Sequence, residues 1–186
     1  MNISFNRFLP FYILFLLAGA AERVLSTFFG KVKLKPAAYV LYGWTFKAPF
    51  YVYLLIIFCS IMEFLLTVRT IDLAVSSAGI VSFVLGAVLR KKAMADLGDN
   101  WGLYTEIKKG HELVCGGVYK YLKHPYYLAV ILELSGACLV ANAYWSFMLV
   151  FLVQGVILAA RIVLEEKMLT GYFGEKYVSY RRNKIF

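Results

Sequence analysis

The sequence predicts an all-α integral membrane protein with about five transmembrane helices. Of its 186 residues, 61% are hydrophobic, and the mean hydropathy is +0.70. A soluble domain has about 45–50% apolar residues, so the surplus here must face lipid rather than a buried core. Five apolar runs approach the length of about 20 residues that a helix needs to cross a bilayer. The basic residues between these runs are concentrated on one side, as in multi-pass membrane proteins.

The five predicted spans cover residues 8–29, 48–68, 71–89, 126–142 and 144–160. The second and fifth are the clearest, whereas the fourth is short and contains Glu133. Residues 1–20 also resemble a secretory signal. The apolar run continues past Arg23, so we expect a retained helix.

The positive-inside rule predicts the orientation, since five spans place the two termini on opposite sides of the membrane. Most of the 20 Lys and Arg residues then fall on one side, whereas Arg7 and Arg69 lie on the other. We therefore expect the N-terminus outside, and the C-terminus in the cytoplasm together with the long polar segment 90–125.

Composition and motifs exclude several classes of protein. The net charge of +9 could indicate nucleic acid binding, but the basic residues stand between apolar runs, so anionic lipid headgroups are the expected counter-charge. Three cysteines without CxxC spacing predict no disulfide framework. His111, Cys115 and His124 are too few ligands for a structural zinc site, and we expect no metal. No P-loop, GxGxxG or HExxH motif is present.

Two carboxylates, Glu63 and Glu133, lie inside predicted spans. They fit either a proton relay in a transporter or interior groups that hold helices together by hydrogen bonds. The spans show no internal repeat, which favours the second interpretation.

His124 precedes Pro125 at the start of the fourth span. Proline suits the first turn of a helix, so we expect a helix to begin at Pro125, with His124 at its positive N-terminal end. The sequence around this histidine fits an interfacial residue among tyrosines as well as a functional site.

Arg161 and Glu165 are four residues apart, on one helix face, and Glu166 follows. Ionisable groups at the end of an apolar span face a protein interior or form a helix-end ion pair with a snorkelling arginine, and both alternatives stay open here. In the tail, Phe173, Tyr177 and Tyr180 form one stripe of an amphipathic helix, which predicts an interfacial helix on the membrane.

Two blocks in the second half of the chain carry a more specific signal. LGDNW (97–101) is followed by HELVCGGVYKYLKHPYY (111–127), an apolar hairpin, and RIVLEEKMLTGYFGEKYVSYRR (161–182). This order resembles the isoprenylcysteine carboxyl methyltransferase family and related membrane phospholipid methyltransferases. The resemblance divides a single membrane domain (1–186) into three N-terminal spans (1–92) and a methyltransferase signature region (93–186).

The resemblance implies a cytoplasmic cofactor-binding region formed by the loop before the fourth span and the C-terminal helices. The family binds S-adenosyl-L-methionine, releases S-adenosyl-L-homocysteine and methylates a lipophilic substrate that enters from the bilayer. Carried over by position, the cofactor site comprises Tyr104, His111, Glu112, Leu113, Val114, Tyr119, His124, Pro125, Tyr126, Tyr127, Glu165 and Glu166. Arg161 matches the arginine assigned to the substrate carboxylate, and Lys123 stands where the family has an arginine; both are the expected catalytic residues.

Lys123 leaves the identity of the acceptor open, since an ammonium cannot hold a carboxylate bidentately. A carboxylate such as an isoprenylcysteine-type α-carboxyl is preferred, because it is ionised at neutral pH and needs no general base. A phospholipid amine, a phenol or a thiol are alternative acceptors. A sterol-reductase-like protein that uses a nicotinamide cofactor, and a non-catalytic membrane scaffold or transporter, are alternatives of other classes. We expect membrane lipids but no nucleic acid among its partners.

Overall fold

The computed structural model describes residues 2–28, 37–40, 44–67, 70–102, 106–108, 110–182 and 184. Its α-helices are α1 (Phe5–Phe28), α2 (Trp44–Leu66), α3 (Leu73–Leu97), α4 (Pro125–Val140), α5 (Tyr144–Leu149), α6 (Val156–Phe173) and α7 (Glu175–Arg181). A π-helical segment (Val150–Gly155) joins α5 to α6, and 3₁₀ turns cover Gly98–Asn100 and Gly117–Lys120. Four short strands form two antiparallel pairs, β1 (Asn2–Ser4) with β3 (Thr70–Asp72) and β2 (Ala37–Val40) with β4 (Glu106–Lys108).

Every predicted span coincides with a helix, so the predicted all-α membrane fold is confirmed. Within the described ranges, four helical segments are long and apolar enough to cross a membrane, namely Phe5–Thr27, Lys47–Leu66, Leu73–Asn100 and Tyr144–Phe173. The fourth predicted span, α4, has 16 residues and is shorter than the others. A total of five spans therefore stays a prediction.

Helix α4 is the interior element of the bundle. Its buried positions occur all around the helix rather than on one face, and they include Ala129, Leu134 and Cys138, each with 0–1% of its surface exposed. A helix that is hydrophobic all round packs inside a bundle. The shortness of α4 fits this interior position, because the other helices surround it.

The contact between α3 and α4 requires a glycine at position 136. A Cβ atom there would lie 2.5 Å from the backbone nitrogen of Phe83 and 2.7 Å from the carbonyl oxygen of Gly79. The two backbones therefore approach as closely as small residues permit, which is a common way for helices to associate in membranes. Ser76 Oγ adds a hydrogen bond of 2.9 Å to the carbonyl oxygen of Val140.

Helix α3 continues well beyond its apolar run, and the polar loop predicted from residue 90 begins only after Leu97. The reason is a cluster of charges shared by three helices. Arg90 is fully buried, and its Nε donates to Glu133 Oε1 at 2.7 Å while Nη2 donates to Glu22 Oε2 at 2.5 Å. Arg23 pairs with the other oxygen of Glu133. Partners from α1 and α4 thus allow a charged residue to lie within the helical bundle.

Glu63 joins α2 to the start of α5. Its carboxylate accepts hydrogen bonds from the backbone N–H groups of Trp145 at 3.0 Å and Ser146 at 2.8 Å, and from Ser146 Oγ at 2.8 Å. These are N–H groups that a helix N-terminus leaves without intrahelical partners. The interpretation of Glu63 and Glu133 as groups that hold helices together is confirmed.

Candidate active site

The loop after α3 is held against the end of that helix by two hydrogen bonds. Val118 N donates to Asp96 Oδ2 at 2.7 Å, and Asn100 Nδ2 donates to the carbonyl oxygen of Glu112 at 3.2 Å. Gly117 has a φ of +57°, and a Cβ atom there would lie 1.9 Å from Asp96 Oδ2. Glycine is therefore required for the loop to approach α3 this closely.

Helix α4 begins at Pro125, as predicted, with His124 as the N-cap. The carbonyl oxygen of His124 accepts from Tyr127 N at 3.1 Å and Leu128 N at 3.3 Å, which closes the first turn. The His124 side chain is 3% exposed, and its imidazole stacks on the Tyr127 ring, with centroids 5.7 Å apart and an angle of 21°. The histidine is therefore a buried wall of a site, not an exposed residue at the membrane surface.

Tyr127 lies at the centre of the site. Its hydroxyl donates to Glu165 Oε2, and its ring faces the Arg161 guanidinium, with Cζ 5.3 Å from the ring centroid. Arg161 and Glu165 are thus on one face of α6, as their spacing predicts, and both meet the same tyrosine of α4.

A proline in α2 explains the position of Arg161. Pro49 has no N–H, so the carbonyl oxygen of Thr45, four residues earlier, lacks its usual donor within the helix. Arg161 Nη1 donates to that oxygen at 2.8 Å. The buried guanidinium, 8% exposed, is therefore held between α2 and the Tyr127 ring.

Glu166 is the centre of a separate group of charges. Its Oε1 lies 3.3 Å from His124 Nε2 and 3.5 Å from Lys123 Nζ, and its Oε2 lies 3.4 Å from Arg181 Nη1. This carboxylate connects α6 to the start of α4 and to α7. Glu166 contacts His124 and Lys123, which line the cavity, but does not line the cavity itself.

These elements surround a partly open cavity of ≈ 140 Å³. The predicted residues that line it are His111, Glu112, Leu113, Val114, Tyr119, Lys123, His124, Tyr126, Tyr127, Arg161 and Glu165. Tyr104 lies outside the described residues. Pro125 and Glu166 do not line the cavity, although both contribute to its walls through His124. For all the predicted residues, those that line the cavity included, contact with a cofactor stays a prediction.

The sequence interpretation missed several residues of the cavity. Trp101, which is 4% exposed, Met168 and Leu169 lie within the signature segments, but the resemblance assigned no role to them. The tail stripe of Phe173, Tyr177 and Tyr180 also lines the cavity, whereas it was expected on the membrane surface. The amphipathic pattern correctly marked an apolar face but could not identify what that face covers.

The tail folds over the cavity because the helix breaks at Gly174. That residue has a φ of +56° and separates α6 from α7. Tyr180 then donates its hydroxyl hydrogen to the carbonyl oxygen of Tyr119 at 2.8 Å. Burial raises the pKa of Tyr180 to about 12, and burial also raises the pKa of Tyr119 and of Tyr177 above the ordinary value of 10.0. All three phenols are neutral at physiological pH.

Comparison with known proteins decides the family. The model of the isoprenylcysteine carboxyl methyltransferase (ICMT) family matches residues 77–171, which is half of the chain and includes α4, α5 and most of α6. The chain belongs to this family. As an ICMT-family protein it has the fold of a multi-pass membrane protein, with the matched region surrounding the cavity.

Similar proteins occur in eukaryotes and bacteria. Protein-S-isoprenylcysteine O-methyltransferase of Schizosaccharomyces pombe is 33% identical over 100 residues, which are 53% of this chain and 42% of that protein. The uncharacterized protein YpbQ of Bacillus subtilis is 37% identical over 95 residues, 50% of this chain and 56% of that protein. The chain thus spans about half the length of the curated relatives that it matches.

A solved structure shares the fold of this ICMT-family chain. It is that of the eukaryotic intramembrane Ras methyltransferase ICMT, with a TM-score of 0.59 and 24% sequence identity. The match covers 78% of this chain and 52% of the other. It therefore extends the similarity beyond the signature region into the N-terminal helices.

Proposed function

We propose that the chain is a membrane methyltransferase that uses S-adenosyl-L-methionine to methylate a lipophilic acceptor. One observation carries the proposal: residues of both sequence blocks, separated by the α4–α5 hairpin, meet around one cavity. The cofactor would occupy this cavity, and the acceptor would reach it from the bilayer. An acceptor carboxylate, of the isoprenylcysteine type or another lipophilic acid, is the preferred group.

The donor set of the cavity fits this cofactor. Glu165 offers a carboxylate to amino or ribose hydroxyl groups, and the backbone of residues 111–114 offers further hydrogen-bonding groups. Tyr119, Tyr126 and Tyr127 offer aromatic faces to a sulfonium cation and an adenine ring. These groups would bind the cofactor without a metal.

When bound, the cofactor supplies a methyl group whose S–C bond breaks as the new C–O bond forms, leaving the neutral thioether S-adenosyl-L-homocysteine. The chain's own task is then to position the acceptor oxygen. Arg161, fixed by Thr45 and Tyr127, would hold and partly neutralise an acceptor carboxylate. Lys123, beside Glu166, would add positive charge to the same wall. A carboxylate is ionised at neutral pH, so no proton has to be removed.

The proposal includes an orientation of the chain in the membrane. The excess of Lys and Arg in 90–125 and in the tail supports a cytoplasmic cavity and C-terminus and an N-terminus outside. The cavity would then open where the soluble cofactor is available, while its neighbouring helices contact lipid.

Calorimetry with S-adenosyl-L-homocysteine on the purified protein tests the proposal. We expect binding by the unmodified chain and at least a tenfold loss of affinity in His124→Ala and Glu165→Ala. Glu175→Ala removes an exposed carboxylate of α7 that does not line the cavity, and it serves as the matched control. Absence of binding by the unmodified chain would sink the proposal and favour a scaffold or transporter.

A second measurement tests transfer. The protein is incubated with a membrane lipid extract and cofactor labelled on its methyl group, and the labelled product is identified after base treatment. Release of labelled methanol by mild base is expected of a methyl ester. A base-stable product would instead indicate an amine, phenol or thiol acceptor.

A further inference from the structure

A second cavity, of ≈ 60 Å³, lies between α1, α2, α4 and α6. Tyr126, Tyr127 and Arg161 line both this cavity and the larger one, so the two are neighbours that share a wall. Most of the remaining lining is apolar, from Pro49, Phe50, Val130 and Leu158. The second cavity is therefore a mainly apolar space beside the larger one.

Gln154 is the unexplained polar residue in this cavity. It is 1% exposed, and neither its Oε1 nor its Nε2 has a hydrogen-bond partner among the residues that the structure describes. Buried amides are otherwise almost always hydrogen-bonded, since an unpaired one is costly inside a bilayer. The residue also lies in the π-helical segment Val150–Gly155, and such segments are frequent at functional sites.

The position of Gln154 relative to Arg161 defines the ligand that would satisfy it. The two residues are seven positions apart on one helix, or about 10 Å at a rise of about 1.5 Å per residue. Arg161 lies beside the cofactor cavity, and Gln154 lies two turns further from the C-terminal end of α6. Both side chains line the second cavity, so a ligand that meets both has a polar head at Arg161 and a second polar group further along its chain.

The residues of the second cavity indicate which chemical group of the ligand would meet Gln154. The other charged residue in the lining, Arg23, already pairs with Glu133 and lies 4.2 Å above the Tyr53 ring. An amide offers two donors and an acceptor, which suits a neutral hydroxyl, carbonyl or amide better than a charge.

We propose that the second cavity is an acceptor subsite, in which Gln154 determines specificity by hydrogen bonding to a neutral oxygen-bearing group in the middle of the acceptor's lipid chain. This inference rests on the proposed methyltransferase function. An acceptor with a purely hydrocarbon chain, a prenyl chain included, is expected to bind this subsite less tightly, because it leaves the buried amide without a partner.

Two probe acids of equal chain length test the subsite by binding alone. Tritiated octadecanoic acid is bound to purified protein in detergent and displaced by unlabelled octadecanoic acid or by its mid-chain hydroxy derivative. The hydroxy acid is expected to displace the label about tenfold better from the unmodified chain. The two acids are expected to be equivalent in Gln154→Met, which keeps the shape of the side chain but removes the amide.

Kinetics separate specificity from a structural role. With the hydroxy acid as acceptor, Gln154→Met is expected to raise KM about tenfold with kcat within about twofold, and Gln154→Asn is expected to restore part of the affinity. Ser135→Ala is the matched control. Ser135 is also buried in the bundle, its oxygen has no hydrogen-bond partner in the part of the chain that the structure describes, and it lines neither cavity.

Equal binding of the two acids to the unmodified chain, no binding of either, or a preference retained in Gln154→Met would each overturn the inference. The affinity for S-adenosyl-L-homocysteine is measured on the same preparations. If that affinity is intact and the acids are not distinguished, only the subsite fails; if it is absent, the methyltransferase proposal itself fails.

Discussion

Replacing Glu133 with alanine tests whether the buried charges determine the stability of the bundle. The Glu133 side chain is 2% exposed and accepts from the fully buried Nε of Arg90 at 2.7 Å, while its other oxygen pairs with Arg23. The substitution leaves the Arg90 guanidinium buried with only its partners on α1. Breaking a buried ion pair in this way costs about 3–5 kcal/mol of unfolding free energy. At about 2–4 °C per kcal/mol for a chain of this size, the unfolding midpoint should fall by roughly 6–20 °C.

The assay can use a cysteine of the chain itself. Cys138 is fully buried in α4 and becomes available to a fluorogenic maleimide only when the bundle opens. Cys115 is exposed and Cys59 is half-buried, so both are first replaced by serine to lower the background. Glu175→Ala, on the exposed surface of α7, should shift the midpoint by less than about 2 °C. A Glu133→Ala midpoint within the same margin would refute the assignment of Arg90 and Glu133 to the interior of the bundle.

Three further predictions concern packing, the arginine and pH. Gly136→Ala should lower the free energy of unfolding by about 1–3 kcal/mol, because the added methyl group overpacks against α3. Gly171 has open space around it, so Gly171→Ala should leave the free energy of unfolding nearly unchanged. Thermal unfolding compares the two variants. Pro49→Ala restores an N–H that competes with Arg161 for the Thr45 oxygen, so the KM for the acceptor should rise several-fold while S-adenosyl-L-homocysteine affinity, by calorimetry, stays unchanged. Burial raises the pKa of Tyr180 to about 12, so the contribution of its neutral phenol to stability is complete below pH 10.0 and is lost as the pH rises toward about 12. The midpoint of thermal unfolding should therefore fall over that interval. It should fall less in Tyr180→Phe.

The sequence predicted those features that depend on local chemistry. A proline with no N–H to donate fits the first turn of a helix, so the start of α4 at Pro125 and the N-cap position of His124 followed directly. Residues of the two signature blocks were assigned to one site, because the order of the blocks resembles that of a family. Members of a family share a fold, so the resemblance also predicts which residues lie close together. Neither result required knowledge of which helices pack together.

Features that depend on distant partners were not predictable. An arginine after an apolar run normally marks the end of a span, but Arg90 stays inside the bundle because Glu22 and Glu133, from two other helices, meet it there. The tail stripe likewise had an apolar face without a known partner, and only the break at Gly174 turns Tyr177 and Tyr180 over the cavity. Gln154 carried no signal at all, since a single glutamine in a span indicates neither its burial nor its lack of a partner.

The place of Tyr127 has a thermodynamic consequence. Its ring contacts His124 and Arg161, its hydroxyl binds Glu165, and its side chain lines both cavities. A ligand in either cavity that shifts this ring changes the free energy of binding in the other. Such coupling is reciprocal, so the factor by which a ligand in the smaller cavity alters the affinity of the larger one equals the factor by which a ligand in the larger cavity alters the affinity of the smaller one. One shared tyrosine thus makes the two sites a single linked equilibrium.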